Sequence, residues 1–493
     1  MAPANSTLNC SHATYNISRG SEDPLEKVVS ILQKHKDEDY YAYERGGFWY
    51  IGLGCQASLV IDAKGETTTT IIDGKREVSP VTGTLSDIAR GFIKEHEGRL
   101  VKIHGYVGFN YAAHIRGQPY KCGEWPLLCL MVPRTEVVIH GTKITINGHG
   151  NKATPAITDV LDGLSSFASP GLMTIDNEKG KAKYSSLVAK AVAEIKNNQY
   201  TKVIISRAVD LTDEVDMPAT LLRGRRGNNP ARSFSFNHDG FQATGFSPEL
   251  VLSLDKGKVI TEPLAGTRSR LGTDEEIAIR RHDLLNDPKE IVEHVVSVMA
   301  AVDELKKFCD RPSVMVEELM AVRDRGPVQH LGSRVSGKLA EGKDGFDAFN
   351  VLFPAITASG IPKAPALDAI HRLEDRPREL YSGAVLLIDG MDTFEGTLVL
   401  RTVFQHGKKG WIQAGAGIID QSTPERELTE TCEKLASIAP YLVAKPIGPP
   451  MEKIHIPLES KIVLMKKRDS QMEEDEIMKA KPAVLLELIS TAC

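Results

Sequence analysis

Two acidic segments far apart in the chain, 287–294 and 423–434, carry residues that could bind a metal ion. Each opens with a capping residue followed by proline, which is typical of the start of a helix. Each then places two glutamates three residues apart, so that both project from nearly the same helical face. The four glutamates are Glu290, Glu293, Glu427 and Glu430.

If the two helices meet, these four carboxylates face one another across a cleft. Like charges that close repel strongly unless a cation lies between them. Mg²⁺, a hard ion that prefers oxygen ligands, is the predicted cofactor. The simpler alternative is that Glu290 completes a capping box and that the other glutamates lie on solvated helix faces.

Two further residues could move protons. Lys202 opens an apolar run, Val203-Ile204-Ile205, that is typical of a strand buried on both faces. A partly buried lysine can be neutral and accept a proton from water. The alternative is a lysine whose ammonium group extends to solvent. Glu249 follows Ser247 and Pro248 at a turn, where it is either an acid or a solvated loop carboxylate.

Composition argues against a nucleic-acid-binding, membrane-spanning or secreted protein. The chain has 493 residues, a formal net charge of -5 and 25% charged residues, which gives no support for a nucleic-acid-binding surface. No apolar run is long enough to span a membrane, and residues 1–20 lack the apolar core of a secretion signal. Seven scattered cysteines favour reduced thiols and a cytoplasmic location.

The chain is expected to contain a flexible tail (1–20), a single catalytic domain (21–445) and a C-terminal extension (446–493) in which prolines and charged residues are frequent. Residues 40–146 consist mainly of strand-like runs bounded by turn residues. The apolar spacing in 184–197 predicts an amphipathic helix.

About ten short blocks between Lys202 and Lys434 resemble, in the same order, those of the chorismate-utilising enzymes, which include anthranilate, isochorismate and salicylate synthases. The blocks include 245–250 (GFSPEL), 260–268 (ITEPLAGTR), 289–294 (KEIVEH), 353–363 (FPAITASGIPK) and 414–418 (AGAGI). This resemblance implies an α/β (α+β) fold in which two large, mainly antiparallel sheets are stacked, with helices on the outside and the pocket between them.

The resemblance also implies how the acidic helices are used. Glu293 and Glu430 would bind Mg²⁺ directly, and Glu290 and Glu427 would bind it through water. The ring carboxylate of the substrate, chorismate, would complete the coordination.

Roles for other residues follow from the same resemblance. Lys202 would activate water for attack at C2 of chorismate, Glu249 would protonate the departing C4 hydroxyl, and His330 would lie over the ring. The implied substrate-binding residues are Gly266, Thr267, Tyr381, Arg401, Gly415, Gly417 and Lys434.

Within the family, the pair Gln329-His330 resembles the salicylate synthases of siderophore pathways. The predicted activity is therefore Mg-dependent conversion of chorismate to isochorismate and then to salicylate and pyruvate. An enzyme that stops at isochorismate remains an alternative, as does a non-catalytic scaffold. Lys202 argues against an anthranilate-synthase-type subunit, which has glutamine there, so no glutaminase partner is expected, and the chain is predicted to be a monomer or weak homodimer.

Overall fold

The computed structural model describes residues 10–16, 23–149 and 171–445. The extension predicted at 446–493 and the remainder of the tail lie outside these ranges, and the domain boundaries stay predictions. The strands are β1 Cys10–Asn16, β2 Tyr40–Arg45, β3 Phe48–Ile61, β4 Thr67–Ile72, β5 Lys75–Pro80, β6 Ile103–Val107, β7 Leu128–His140, β8 Lys143–His149, β9 Lys202–Leu211, β10 Arg232–His238, β11 Phe241–Ser247, β12 Leu250–Asp255, β13 Lys258–Thr261, β14 Leu264–Ser269, β15 Met315–Arg325, β16 Val328–Lys338, β17 Gly360–Ile361, β18 Ala384–Ile388, β19 Thr393–Leu398, β20 Thr402–His406 and β21 Lys409–Ile418.

The helices cover the segments between the strands. They are α1 Pro24–Lys34, α2 Leu85–His96, α3 Tyr111–His114, α4 Lys181–Lys196, α5 Met217–Gly227, α6 Asp274–Asn286, α7 Pro288–Leu305, α8 Gly345–Leu352, α9 Lys363–Leu373 and α10 Pro424–Leu435. The strand predicted from Lys202 and the helix predicted at 184–197 are both confirmed, the helix beginning three residues earlier than expected.

The strands form two antiparallel layers that share β3 and β7. The first layer runs β1-β8-β7-β3-β2-β10-β11-β20-β21-β9-β17. The second runs β5-β4-β3-β7-β6-β18-β19-β12-β13-β16, with β14 and β15 also paired to β16. The register of β3 against β7 shifts between Cys55 and Ala57, where the shared strands pass from one layer to the other.

Aromatic side chains pack between the two layers. Tyr41 and Phe236 from the first layer stack with ring centroids 5.0 Å apart, and Tyr106 from the second layer lies 5.2 Å from Phe236. Helices α1 and α5 cover a separate apolar core on one outer face, and α2, α7 and α8 cover another. The predicted fold of two stacked, mainly antiparallel sheets with outer helices is therefore confirmed.

The prediction of a wholly flexible tail is wrong for residues 10–16. This segment pairs antiparallel with β8, in register from Cys10 opposite His149 to Asn16 opposite Lys143. It supplies hydrogen-bond partners to backbone groups that an edge strand would otherwise expose. No helix within the described ranges is both long and apolar enough to cross a membrane.

Candidate active site

The two acidic helices begin where the sequence predicted. The Asp287 side chain accepts hydrogen bonds from the backbone N–H of Lys289 and Glu290 at the start of α7, and Thr423 accepts one from Arg426 at the start of α10. All four glutamates on these helices are buried. They therefore do not lie on solvated helix faces, and their charges act on one another.

Glu290 is held by strand β14 rather than by a capping box. Its Oε2 accepts a hydrogen bond of 3.2 Å from the backbone N–H of Thr267, and its Oε1 lies 2.7 Å from Arg268 Nη1. Gly266 has a φ of +76°, a left-handed conformation at the register shift in β14 that allows the strand to pass close to this carboxylate. The predicted residues Gly266 and Thr267 thus contact the acidic cluster directly.

Burial and mutual repulsion change the pKa values of the glutamates unequally. Burial, together with the charge of Glu430, raises the pKa of Glu427 to about 7, and the same two causes raise the pKa of Glu290. Burial also acts to raise the pKa of Glu430, but the charges of Lys434 and Lys289 outweigh it and lower that pKa to about 2. Glu430 therefore stays ionised at physiological pH.

The positive charge among these carboxylates comes from basic side chains. The Lys289 Nζ lies 3.0 Å from Glu427 Oε1, 3.7 Å from Glu290 Oε1 and 3.8 Å from Glu293 Oε2. In the described part of the chain, no three His, Cys, Asp or Glu side chains are arranged so that they could hold a metal ion together. Four buried carboxylates are nevertheless the donor set that Mg²⁺ prefers, so the residue types fit the ion while Lys289 occupies the space between them.

Lys202 is completely buried, not partly buried as predicted. Its Nζ lies 2.9 Å from Glu293 Oε1 and donates a hydrogen bond of 3.1 Å to Ser297 Oγ. The lysine thus joins strand β9 to helix α7. Its amino group faces the cluster and does not extend to solvent.

Glu249 is buried at the turn between β11 and β12, which excludes a solvated loop position. Its Oε1 accepts a short hydrogen bond from Thr357 Oγ1. Burial raises the pKa of Glu249 to about 8, although Thr357 and the charge of Lys202 act in the opposite direction. A carboxyl group with this pKa is mostly protonated at neutral pH and can donate a proton.

His330 is a neutral imidazole held from both sides. Its Nδ1 lies 3.1 Å from the carbonyl oxygen of Gly266, and its Nε2 is in close contact with Arg401 Nη2. Because a carbonyl oxygen only accepts, the proton is assigned to Nδ1, and Nε2 accepts from the guanidinium. Burial and the charge of Arg401 lower the pKa of His330 well below its usual value. Arg401 itself has a left-handed backbone, with φ +52°.

One cavity brings most of the predicted residues together. The predicted residues that line it are Lys202, Glu249, Gly266, Thr267, Glu293, His330, Tyr381, Arg401, Gly415, Gly417, Glu430 and Lys434. The remaining two, Glu290 and Glu427, are not among the lining residues and contact Lys289. The carboxylates Glu293 and Glu430 and the hydrogen-bond donors Arg401 and Tyr381 therefore line the same cavity.

Gly415 and Gly417, two of the three glycines of β21, are required by close contacts. A Cβ atom at Gly417 would lie 2.3 Å from Glu293 Oε1, and one at Gly415 would lie 2.8 Å from the carbonyl oxygen of Ile205 and 3.0 Å from the Tyr381 hydroxyl. The sequence predicted backbone contacts to a carboxylate at these positions. Those contacts stay a prediction, and the structure shows in addition that both glycines leave room for neighbouring groups.

Comparison with known proteins shows the family to which the chain belongs. Residues 37–440 match the family model described as chorismate binding enzyme. The chain belongs to the chorismate-binding enzyme family. It is 37% identical over 434 residues to a salicylate synthase of Mycolicibacterium paratuberculosis, a match that covers 86% of this chain and 94% of that protein. It is 30% identical over 429 residues to anthranilate synthase component 1 of Methanothermobacter marburgensis, covering 84% of this chain and 92% of that one.

Solved structures show the same fold. The menaquinone-specific isochorismate synthase of Escherichia coli aligns with a TM-score of 0.68 at 21% identity, covering 88% of this chain and 95% of that one. Anthranilate synthase component I of Streptococcus pneumoniae also aligns with a TM-score of 0.68, at 22% identity, over 80% of this chain and 92% of that one.

Three residues of this chorismate-binding enzyme escaped the sequence-based prediction of the site. Thr357 contacts Glu249, and Gln413 lines the cavity with its Nε2 bound to Ser206 Oγ at 2.8 Å. Each lies within or beside a sequence block shared with the family, and this position is the feature of the sequence that could have identified it as a site residue. Lys289 lies inside the block 289–294, but a lysine in the first turn of a helix gives no indication that it will be enclosed by carboxylates.

Proposed function

We propose that this chorismate-binding enzyme is a salicylate synthase, which converts chorismate to isochorismate and then to salicylate and pyruvate. The observation that carries the proposal is the pairing, in one cavity, of the buried Lys202 with Glu249, a carboxyl group that is mostly protonated at neutral pH. The addition of water to one ring carbon and the loss of hydroxide from another need such a base and such an acid.

In the first step, Lys202 takes a proton from a water molecule as the water oxygen bonds to C2 of chorismate. The ring double bond shifts, and the C4–O bond breaks as Glu249 gives its proton to the departing hydroxyl, which leaves as water. The product, isochorismate, is an isomer of the substrate, so one water enters and one leaves. Lys202 is paired with Glu293 at 2.9 Å, and this ion pair must rearrange when the substrate binds if Lys202 is to act as a base.

In the second step, hydrogen moves from C2 to the methylene carbon of the pyruvyl group while the ether bond at C3 breaks. The ring becomes aromatic, and salicylate and pyruvate result. This step needs no further base, only a pyruvyl group held close to C2. Arg401 and Tyr381 would bind the pyruvyl carboxylate, and Arg401 is fixed by its contact with His330.

Mg²⁺ would be held by Glu293 and Glu430, with Glu290 and Glu427 behind them, and when bound it would supply positive charge for the ring carboxylate. Lys434, which lies 2.8 Å from Glu430 Oε1, would add charge at the same end of the cavity. These side chains allow a dianionic substrate to approach an otherwise acidic wall.

An isochorismate synthase is the second candidate, since solved isochorismate synthases share this fold. The cavity contains the water-addition pair in either case. The 37% identity to a salicylate synthase and the Gln329-His330 pair favour the longer reaction. Of this pair, only His330 lines the cavity, because Gln329 points to the other side of β16 and contacts the Ile277 carbonyl oxygen.

Product analysis tests the proposal. The purified protein is incubated with chorismate and Mg²⁺, and salicylate fluorescence and pyruvate are measured together. Equal amounts of salicylate and pyruvate are expected from the wild type, and neither from Lys202→Gln. Isochorismate without pyruvate would favour the second candidate, and anthranilate formed with ammonium would contradict both.

A further inference from the structure

The cation at the centre of the acidic cluster is a lysine of this chain. Lys289 is the second residue of α7, and its side chain is 15% exposed. Its Nζ lies within 4 Å of carboxylate oxygens from Glu290, Glu293 and Glu427. Among the described residues, it is the only basic side chain within ion-pair distance of Glu427.

The other glutamates of the cluster have basic partners that are anchored elsewhere. Arg268, which pairs with Glu290 at 2.7 Å, also donates to the Thr267 carbonyl oxygen. Lys434, which pairs with Glu430, also donates to the Gly415 carbonyl oxygen at 2.9 Å. Lys289 Nζ, in contrast, makes no hydrogen bond of good geometry within the described ranges, so charge alone holds it between the helices.

The basic side chains come close to neutralising the cluster without any ion. With Asp287 and Glu433 included, six carboxylates are paired with five lysine and arginine side chains. A divalent ion placed among the glutamates would reverse the net charge if Lys289 stayed. It would also lie a few ångströms from the ammonium group, where repulsion between like charges is strong.

We propose that Lys289 is a built-in counter-ion that occupies the carboxylate cluster and is displaced when a divalent cation binds. The inference rests on the metal site in the proposed function. A lysine side chain can make this movement because its charge sits on a flexible four-carbon chain and α7 begins near the surface. Lys289 therefore keeps the cluster stable without metal and weakens the affinity of the cluster for Mg²⁺.

The melting temperature of Lys289→Gln, measured against Mg²⁺ concentration and in EDTA, tests this inference without using turnover. The variant is expected to melt below the wild type in EDTA, because three buried carboxylates lose their shared cation. Mg²⁺ should then stabilise it more than it stabilises the wild type, and the half-saturating Mg²⁺ concentration should fall by about tenfold or more. Calorimetric titration with Mg²⁺ alone checks the same affinity.

Two further variants complete the test. Lys306→Gln removes a lysine at the exposed end of the same helix, where it pairs with Asp303, and should behave like the wild type. Lys289→Arg keeps the charge, so it should melt like the wild type in EDTA and should not bind Mg²⁺ more tightly. If Lys289→Gln can be purified only in the presence of Mg²⁺, that result supports displacement, since folding then depends on the ion.

The inference is overturned if Lys289→Gln binds Mg²⁺ with wild-type or lower affinity, or if Lys289→Arg binds it as tightly as Lys289→Gln. It is also overturned if Mg²⁺ stabilises neither the wild type nor Lys289→Gln. The proposed function is assayed separately by product analysis. A protein that shows the expected Mg²⁺ behaviour but releases no salicylate would retain the counter-ion role and lose the proposed reaction.

Discussion

At the scale of single residues, burial determines what each ionisable group of the cavity can do. Glu249 and Glu430 are both buried carboxyls, but only Glu430 has Lys434 at ion-pair distance. The pKa of Glu249 consequently rises to about 8, while that of Glu430 falls to about 2. One carboxyl can donate a proton at neutral pH and the other supplies a permanent negative charge.

Glu249→Gln should reduce turnover by about 10²–10⁴-fold, the usual contribution of a general acid. An amide of the same shape cannot protonate the departing C4 hydroxyl. Chorismate binding, measured by fluorescence titration, should change little. Glu317→Gln, which removes a carboxylate of β15 that pairs with Lys258, is the matched control and should retain activity. A Glu249→Gln enzyme with normal turnover would exclude Glu249 as the acid.

Activity should fall as the pH rises through about 8, because Glu249 is then ionised and cannot donate a proton. The Thr357 hydroxyl donates to this carboxylate and lowers its pKa. Thr357→Val should therefore move the alkaline limb of the kcat/KM profile to higher pH. Thr397→Val, which removes a hydrogen bond to the backbone carbonyl of the same glutamate, should leave that limb in place.

At the scale of elements, the site depends on the meeting of two helices, α7 and α10, with four strands, β9, β14, β16 and β21. The start of each acidic helix could be predicted from its cap and proline, and the strand from Lys202 could be predicted from its apolar run. The sequence could not show that Lys289 lies among the carboxylates. That position depends on how α7 faces α10, and helix spacing within α7 alone contains no such information.

Gly417→Ala should impair the enzyme by about 10²-fold, because the added Cβ would lie 2.3 Å from Glu293 Oε1 and displace that carboxylate. Gly410→Ala in the same strand is the control, since its Cβ would meet Leu211 at an ordinary 3.5 Å. Turnover and melting temperature should be measured for both. Equal effects of the two substitutions would contradict a specific role for Gly417.

At the scale of the whole molecule, the aromatic layer between the two sheets supplies much of the stability. Phe236 is fully buried and contacts Tyr41, Tyr106 and Trp125. Phe236→Ala should lower the free energy of unfolding by about 3–5 kcal/mol, because it leaves a cavity among packed rings. Urea unfolding measures this change. Ile279→Ala on α6, where the side chain is 61% exposed, should change stability by no more than about 0.5 kcal/mol.

The layered fold was predictable only through the family resemblance. Hydrophobic patterns indicated a β-rich half and separate helices, but they could not show which strands pair. In particular, the polar segment 10–16 contains no apolar alternation, and its place beside β8 is fixed by backbone hydrogen bonds. Such bonds depend weakly on side-chain identity, so a sequence pattern does not reveal them.

The sharing of β3 and β7 between the layers limits how the enzyme can admit its substrate. A protein whose two halves are joined by a single linker can open by a hinge motion. Here two long strands, β3 and β7, cross from one sheet to the other. The sheets could separate only if the backbone hydrogen bonds of these strands were broken. We therefore expect substrate to enter and product to leave through local movements of side chains and loops, while the distance between the two sheets stays constant.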